Sequence, residues 1–219
     1  MIERPSPNFD VRATPADILL LHYTGMQSAG AALERLCDPV AKVSCHWLIE
    51  EDGTLHRLVP EAMRAWHAGQ SFWAGERDLN SRAIGVELVN PGHEWGYRAF
   101  PPAQMAALAE LATGILTRHA IPATRVLGHS DVAPARKQDP GELFDWAWLA
   151  GRGIGLWPHA DAPVKPGDPA TLLVAIGYEA ATPETIAAFQ RRYRPTLIDG
   201  VLDGETGRRI GQIASLHGI

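Results

Sequence analysis

One unbroken apolar run, Ile18-Leu-Leu-Leu-His-Tyr-Thr24, restricts the possible folds more than any other stretch of the chain. It falls far short of the ~20 residues of a membrane span, and its lack of polar alternation suits a strand buried on both faces. It ends in His22, and Gly25 breaks it. Ser28 to Leu36 then reads as a helix with Leu33 and Leu36 inward, stopped by Asp38-Pro39. Val43, Cys45, Trp47 and Ile49 alternate with Ser44, His46 and Leu48, and Thr54 to Val59 pairs back across the Glu51-Asp-Gly53 turn as a hairpin. Residues 60–81 are too irregular for a helix and too aromatic for a linker, which marks a functional loop. Ile84, Val86 and Leu88 form one face of a further strand, with Gly85, Glu87 and Val89 on the other. From Pro101-Pro102 onward Met105, Leu108, Ala112, Ile115 and Leu116 recur at helical spacing, and Val126-Leu127 gives one more short strand.

Strands alternating with helices predict an α/β core, a mixed β-sheet flanked by helices with one main helical layer. Residues 1–17 read as a polar, proline-punctuated arm, and Pro140 to Leu149 as a helix stopped near Gly151. Past a Pro- and Asp-rich linker at 158–167, Asp168-Pro169, Thr182-Pro183 and Asp203 look like helix N-caps. The expected organisation is a first domain over 1–160 and a small three-helix domain over 161–219, which is marginal alone and so docks on the first.

Composition excludes several functions. The 219 residues carry a net charge of -5, which offers no basic surface for nucleic acid. Cys37 and Cys45 are too few for a disulfide framework, and no apolar run approaches a membrane span. The N-terminal residues hold no apolar targeting stretch, so the expected location is the cytoplasm, with the periplasm or outer membrane as the alternative if a leader has been removed. Oligomeric state is left open.

The chemistry concentrates in Gly128-His-Ser-Asp-Val-Ala-Pro-Ala-Arg-Lys-Gln-Asp-Pro-Gly141. Pro134 and Pro140 keep the intervening backbone out of a helix, so Lys137 and Asp139 should project to the same side. His22 and His129 each end a predicted strand, where open α/β sheets bind ligands. With Asp139 they make two imidazoles and a carboxylate, a catalytic zinc set with one open position. Each also has a simpler reading, as a buried histidine satisfied by hydrogen bonds or as a capping aspartate ahead of Pro140. Glu87, inside Ile-Gly-Val-Glu-Leu-Val, is costly to bury unless paired or employed, and Arg82 is available as its partner. A third arrangement, His22 with His129 and Asp131, would imitate the facial triad of an iron oxygenase.

Leu21-His-Tyr-Thr24, Arg64-Ala-Trp-His-Ala-Gly69, Ser81-Arg-Ala-Ile-Gly-Val-Glu-Leu-Val-Asn90 and the 128–141 loop together resemble the zinc-dependent N-acetylmuramoyl-L-alanine amidases, in particular the AmiD branch of the AmpD-type family, over about residues 15–157. Ala187 to Tyr193 and Asp199 to Thr206 resemble the small helical peptidoglycan-binding domain that often follows such enzymes. The resemblance implies a fold shared with peptidoglycan-recognition proteins, Zn2+ held by His22, His129 and Asp139, and Glu87 and Lys137 as the working side chains. It implies peptidoglycan fragments as substrate, cut between N-acetylmuramic acid, or its 1,6-anhydro form, and L-alanine. A recycling enzyme is the first expectation; an exported wall-cleaving amidase and a non-catalytic recognition module are the alternatives. Tyr23, His46, Trp66, His67 and Arg82 are the candidate substrate-groove residues. Trp66 also reads as core, and His46 as an exposed polar residue on its strand. His56, His93, His119, His159 and His217 match no ligand pattern.

Overall fold

The computed structural model describes residues 1–219. In chain order the elements are β1 (Ile2–Glu3), β2 (Phe9–Val11), β3 (Ile18–Tyr23), α1 (Ala29–Cys37), β4 (Trp47–Ile49), β5 (Leu55–Arg57), β6 (Met63–Ala65), α2 (Leu79–Arg82), β7 (Ala83–Leu88), α3 (Gly92–Trp95), α4 (Pro102–His119), β8 (Val126–Gly128), α5 (His129–Val132), α6 (Trp146–Ala150), α7 (Pro169–Ile176), α8 (Pro183–Tyr193) and α9 (Gly204–His217). Six strands form one mixed sheet in the order β1-β5-β4-β7-β3-β8, in which the β4–β5 pair alone is antiparallel. The apolar run is thus a central strand, with Ile18 to Leu21 all but inaccessible.

Alternate residues of that strand enter different cores. Leu19 and Leu21 join Ile84, Val86 and Leu88 beneath Met105, Leu108, Ala112 and Ile115 of α4. Ile18 and Leu20 join Ala83 and Leu127 on the opposite face, packed against Leu173 of α7, Phe189 of α8, and Ile210 and Ile213 of α9. Helix α1 covers the rest of that face through Leu33 and Leu36 against Leu48 and Val89. The single helical layer expected from sequence is therefore two layers. A fully buried aliphatic or aromatic side chain contributes about 1.5–3 kcal/mol, so α7, α8 and α9 act as one wall of the core and not as a tethered appendage.

Local signals placed the helices where the residues demand them. Ser28 accepts from the Ala31 amide, Asp168 from Thr171, Thr182 from Thr185 and Asp203 from Thr206, each relieving an unpaired N–H of a first turn. Three expectations need correction. The N-terminal arm contains two strands, β1 beside β5 and β2 antiparallel to β6, anchored by buried Ser6 and Asn8, whose side chains donate to the carbonyls of Leu36, Asp38 and Val43. The irregular 60–81 stretch includes strand β6 and the start of the short helix α2. The helix expected from Pro140 begins only at Trp146, because the Asp145 carboxylate accepts from the Trp148 amide and caps it there.

Candidate active site

The parallel strands β7, β3 and β8 deliver the key side chains to one end of the sheet. His22 lies in register with Glu87, and Leu21 with Gly128, so His129 follows at the same level on the next strand. Asp139 returns to this point because its carbonyl accepts from the Ser130 amide at 2.9 Å. His22 Nδ1 and His129 Nδ1 are 2.9 Å apart, and Asp139 Oδ2 is 3.1 Å from the first and 3.0 Å from the second. All three residues are buried.

The outer nitrogens orient the two rings. A carbonyl only accepts, so His129 Nε2–H donates to the Ala68 carbonyl at 3.0 Å, which leaves Nδ1 as the nitrogen that a metal ion would use. His22 Nε2 meets His67 Nδ1 at 3.0 Å, which gives His22 the same tautomer when His67 accepts. Burial, and then the neighbouring His129, lower the His22 pKa to about 4, so the ring is neutral near pH 7. Burial alone would raise the Asp139 carboxyl, but the facing imidazoles of His129 and His22 outweigh it and hold it far below the usual carboxylate range. Two imidazole nitrogens and a carboxylate oxygen thus converge on one point, a donor set that fits a metal ion.

The position of His67 explains a glycine. A Cβ on Gly85 would lie 2.5 Å from His67 Cγ, so only glycine lets that imidazole lie against β7 and reach His22. Behind it His46 is fully buried, with Nδ1 accepting from the Gly85 amide and Nε2 facing the Met63 carbonyl.

A cleft of about 430 Å³ opens over the cluster, lined among others by Tyr23, Trp66, His67, Glu87, His93 and Lys137. Glu87 is half-buried overall, yet its Oε2 is inaccessible and has no hydrogen-bond partner. Burial, and then the Asp139 charge, push its carboxyl well above the ordinary range, with Lys137 pulling the other way. No arginine neutralises Glu87, because Arg82 is committed to Asp17 and Glu76 and lies outside the cleft.

The candidate groove residues separate accordingly. Tyr23, Trp66 and His67 line the cleft; His46 sits behind it and is not the exposed strand residue its sequence context suggested. His93, which matched no ligand pattern, stands at the rim, where the Tyr23 hydroxyl donates to its Nδ1 at 3.0 Å and its Nε2–H reaches Glu142 at 3.1 Å. Arg136 also lines the cleft and donates to the carbonyls of Ala68 and Gln70. Neither had a local signal, since both depend on loops meeting across the fold. Asp131 points away from the cluster into hydrogen bonds with Gly128, Tyr178 and Arg192, which removes the facial-triad arrangement.

Comparison with known proteins agrees with this geometry. Residues 12–142 match the family described as N-acetylmuramoyl-L-alanine amidase. The chain belongs to that family. Among individual amidases, it is 39% identical over 220 residues to the N-acetylmuramoyl-L-alanine amidase AmiD of Escherichia coli, a match spanning 86% of this chain and 79% of that protein. It is 36% identical to the 1,6-anhydro-N-acetylmuramyl-L-alanine amidase AmpD of Haemophilus influenzae over 161 residues, 64% of this chain and 85% of that one. The solved complex of E. coli AmiD with the substrate anhydro-N-acetylmuramic acid-L-Ala-D-gamma-Glu-L-Lys superposes with a TM-score of 0.82 at 36% identity, covering 94% of this chain and 92% of that one. The protein is accordingly an amidase, a hydrolase of the bond that gives the family its name. None of its helices is long and apolar enough to cross a membrane.

Proposed function

We propose that this amidase uses Zn2+ held by His22 Nδ1, His129 Nδ1 and Asp139 Oδ2 to release the stem peptide from N-acetylmuramic acid, and that its substrates include 1,6-anhydro-muropeptides. The observation that carries the reading is the convergence of those three atoms beside Glu87. Their triangle is small enough for one ion at zinc's usual bond lengths of about 2.0–2.2 Å to reach all three. Zinc in such a site supplies a Lewis acid and brings the pKa of water down to about 7.

The side chains do the rest. Glu87, poised high by burial and held in no salt bridge, takes the proton of the attacking water and passes it to the departing L-alanine amine. Lys137 lines the same cleft and stabilises the oxyanion that develops on the lactyl carbonyl. Tyr23 and Trp66 offer aromatic walls for a sugar face. Support for anhydro ends comes from the AmiD complex, whose substrate carries one, and from the likeness to AmpD. On this reading the enzyme works in cell-wall recycling in the cytoplasm, with residues 1–160 as the catalytic unit and 161–219 as a peptidoglycan-binding-like helical unit.

Mass spectrometry of a muropeptide mixture, incubated with protein, with chelator, and with chelator followed by zinc, tests the reading. Free stem peptide should appear, stop with chelator and return with zinc, anhydro species vanishing first. Unchanged muropeptides in the presence of bound zinc would reduce the chain to a recognition module.

A further inference from the structure

The amidase chemistry leaves one buried charged cluster of the same loop unused. Asp131 is 1% exposed; its Oδ2 accepts from the Gly128 amide at 2.8 Å and from Arg192 Nη1 at 2.6 Å, and its Oδ1 from the Tyr178 hydroxyl at 2.7 Å. Arg192 is itself 4% exposed, donates from Nη2 to the Val126 carbonyl at 3.0 Å and lies 3.9 Å over the Trp146 ring. Val126 and Gly128 are the first and last residues of β8, the strand that delivers His129. Tyr178 and Arg192 both come from the helical tail, the latter on α8.

We propose that Arg192 and Tyr178 are positioning residues for the metal site, so that the docked tail holds His129 in place through Asp131. This rests on His129 being a ligand, as argued above. Helix α5 is a single turn and cannot sustain itself, since one turn of helix fixes more backbone than its hydrogen bonds repay. Its N-cap, Gly128, has no side chain with which to cap it. Asp131 ties this turn back to the strand end, but a carboxylate in a dry interior stays there only when it is paired and fully hydrogen-bonded. Arg192 supplies the charge and a second bond to the strand, and Tyr178 fills the remaining acceptor. Loosening either lets Asp131 move and, with it, the imidazole two residues earlier. The hydrophobic contacts of the tail with Ile18, Leu20 and Leu127 dock the helices, whereas these two polar side chains reach the ligand loop.

The test is zinc affinity of the full chain, measured by competition with a chromophoric chelator. Arg192→Lys, which keeps the charge but loses the planar fork, and Tyr178→Phe should remain folded by circular dichroism and bind zinc more weakly. Groups that orient a metal's ligands typically set 10–100-fold in affinity, so roughly tenfold is expected for Arg192→Lys and less for Tyr178→Phe. Ile213→Ala, in the same tail core but without a polar group, should lower the melting temperature and leave zinc affinity unchanged. Folded Arg192→Lys and Tyr178→Phe with wild-type affinity would overturn the proposal, as would equal weakening by Ile213→Ala. Should the wild type bind no zinc, or bind it as well after His129→Ala, the metal reading itself falls, and that pattern is distinct from the others.

Discussion

Asp131 and Asp139 lie in one loop, eight positions apart, and both are buried, yet their surroundings differ in kind. Asp131 faces only donors: an amide, a phenol and a guanidinium. Asp139 Oδ2 faces two imidazole nitrogens, His22 Nδ1 and His129 Nδ1, which also face each other. The first cluster gives its carboxylate a full set of donors and holds structure. The second brings two imidazoles and a carboxylate to one point, a set that could hold a metal ion. Burial of a carboxylate therefore does not identify its role; the count of donors around it does.

The contrast is tested most severely by removing each carboxylate in turn. Asp139→Ala should lose zinc retention and at least about 10³ in turnover, since several kcal/mol of charge stabilisation go with the metal. Asp131→Asn should cost about 3–5 kcal/mol of stability by leaving Arg192 buried without its carboxylate, and should weaken zinc binding without abolishing it. Metal analysis together with denaturant unfolding of the two variants decides it, and zinc bound normally by Asp139→Ala would erase the distinction. A smaller effect is expected at Lys137, where replacement by Ala should keep zinc but reduce kcat by on the order of 10²–10³; near-wild-type turnover removes Lys137 from the reaction.

Smallest is the effect of Glu87 on stability, and its sign is opposite to that of a paired acid. Its folded pKa is raised, so the metal-free protein binds more protons than its unfolded chain between the ordinary glutamate range and that higher value. Stability attributable to Glu87 is thus present at low pH and is lost as pH rises through this window. Glu87→Gln should remove the loss, raising Tm at pH 8 relative to pH 4 by about 2–4 °C for each kcal/mol recovered. The same substitution should cost activity, and the wild-type acid limb should lie above the usual carboxylate range. Calorimetry showing no pH-dependent difference between the wild type and Glu87→Gln would mean that the carboxyl is solvated.

Much of the site was legible before folding was considered. His22 and His129 ended runs whose apolar character marked buried strands, and Glu87 was conspicuous because nothing in its strand could pair with it. Misplacements arose where a residue's direction depends on a distant partner. Arg82 turns to Asp17 and Glu76, and His46 is sealed beneath the 63–67 segment, where the Ser44 amide donates to the Trp66 carbonyl and the Trp66 amide to the Ser44 hydroxyl. Edge strands β1 and β2 were invisible because their residues are exposed and so carry no apolar alternation.

Elements whose causes lie within a few residues could be read directly from the chain: the buried central strand, the α4 stripe and the capped starts of α7, α8 and α9. The residue types that converge were equally plain, since imidazoles at the ends of apolar runs and a carboxylate in the proline-bounded loop stand out from their neighbours. Folding alone decided that the tail walls the second face of the sheet, and which of two aspartates meets the histidines. Those outcomes depend on groups far apart in the chain, Asp131 with Arg192 and His129 with Ala68, whose meeting is set by the packing of the whole sheet and leaves no trace in local spacing.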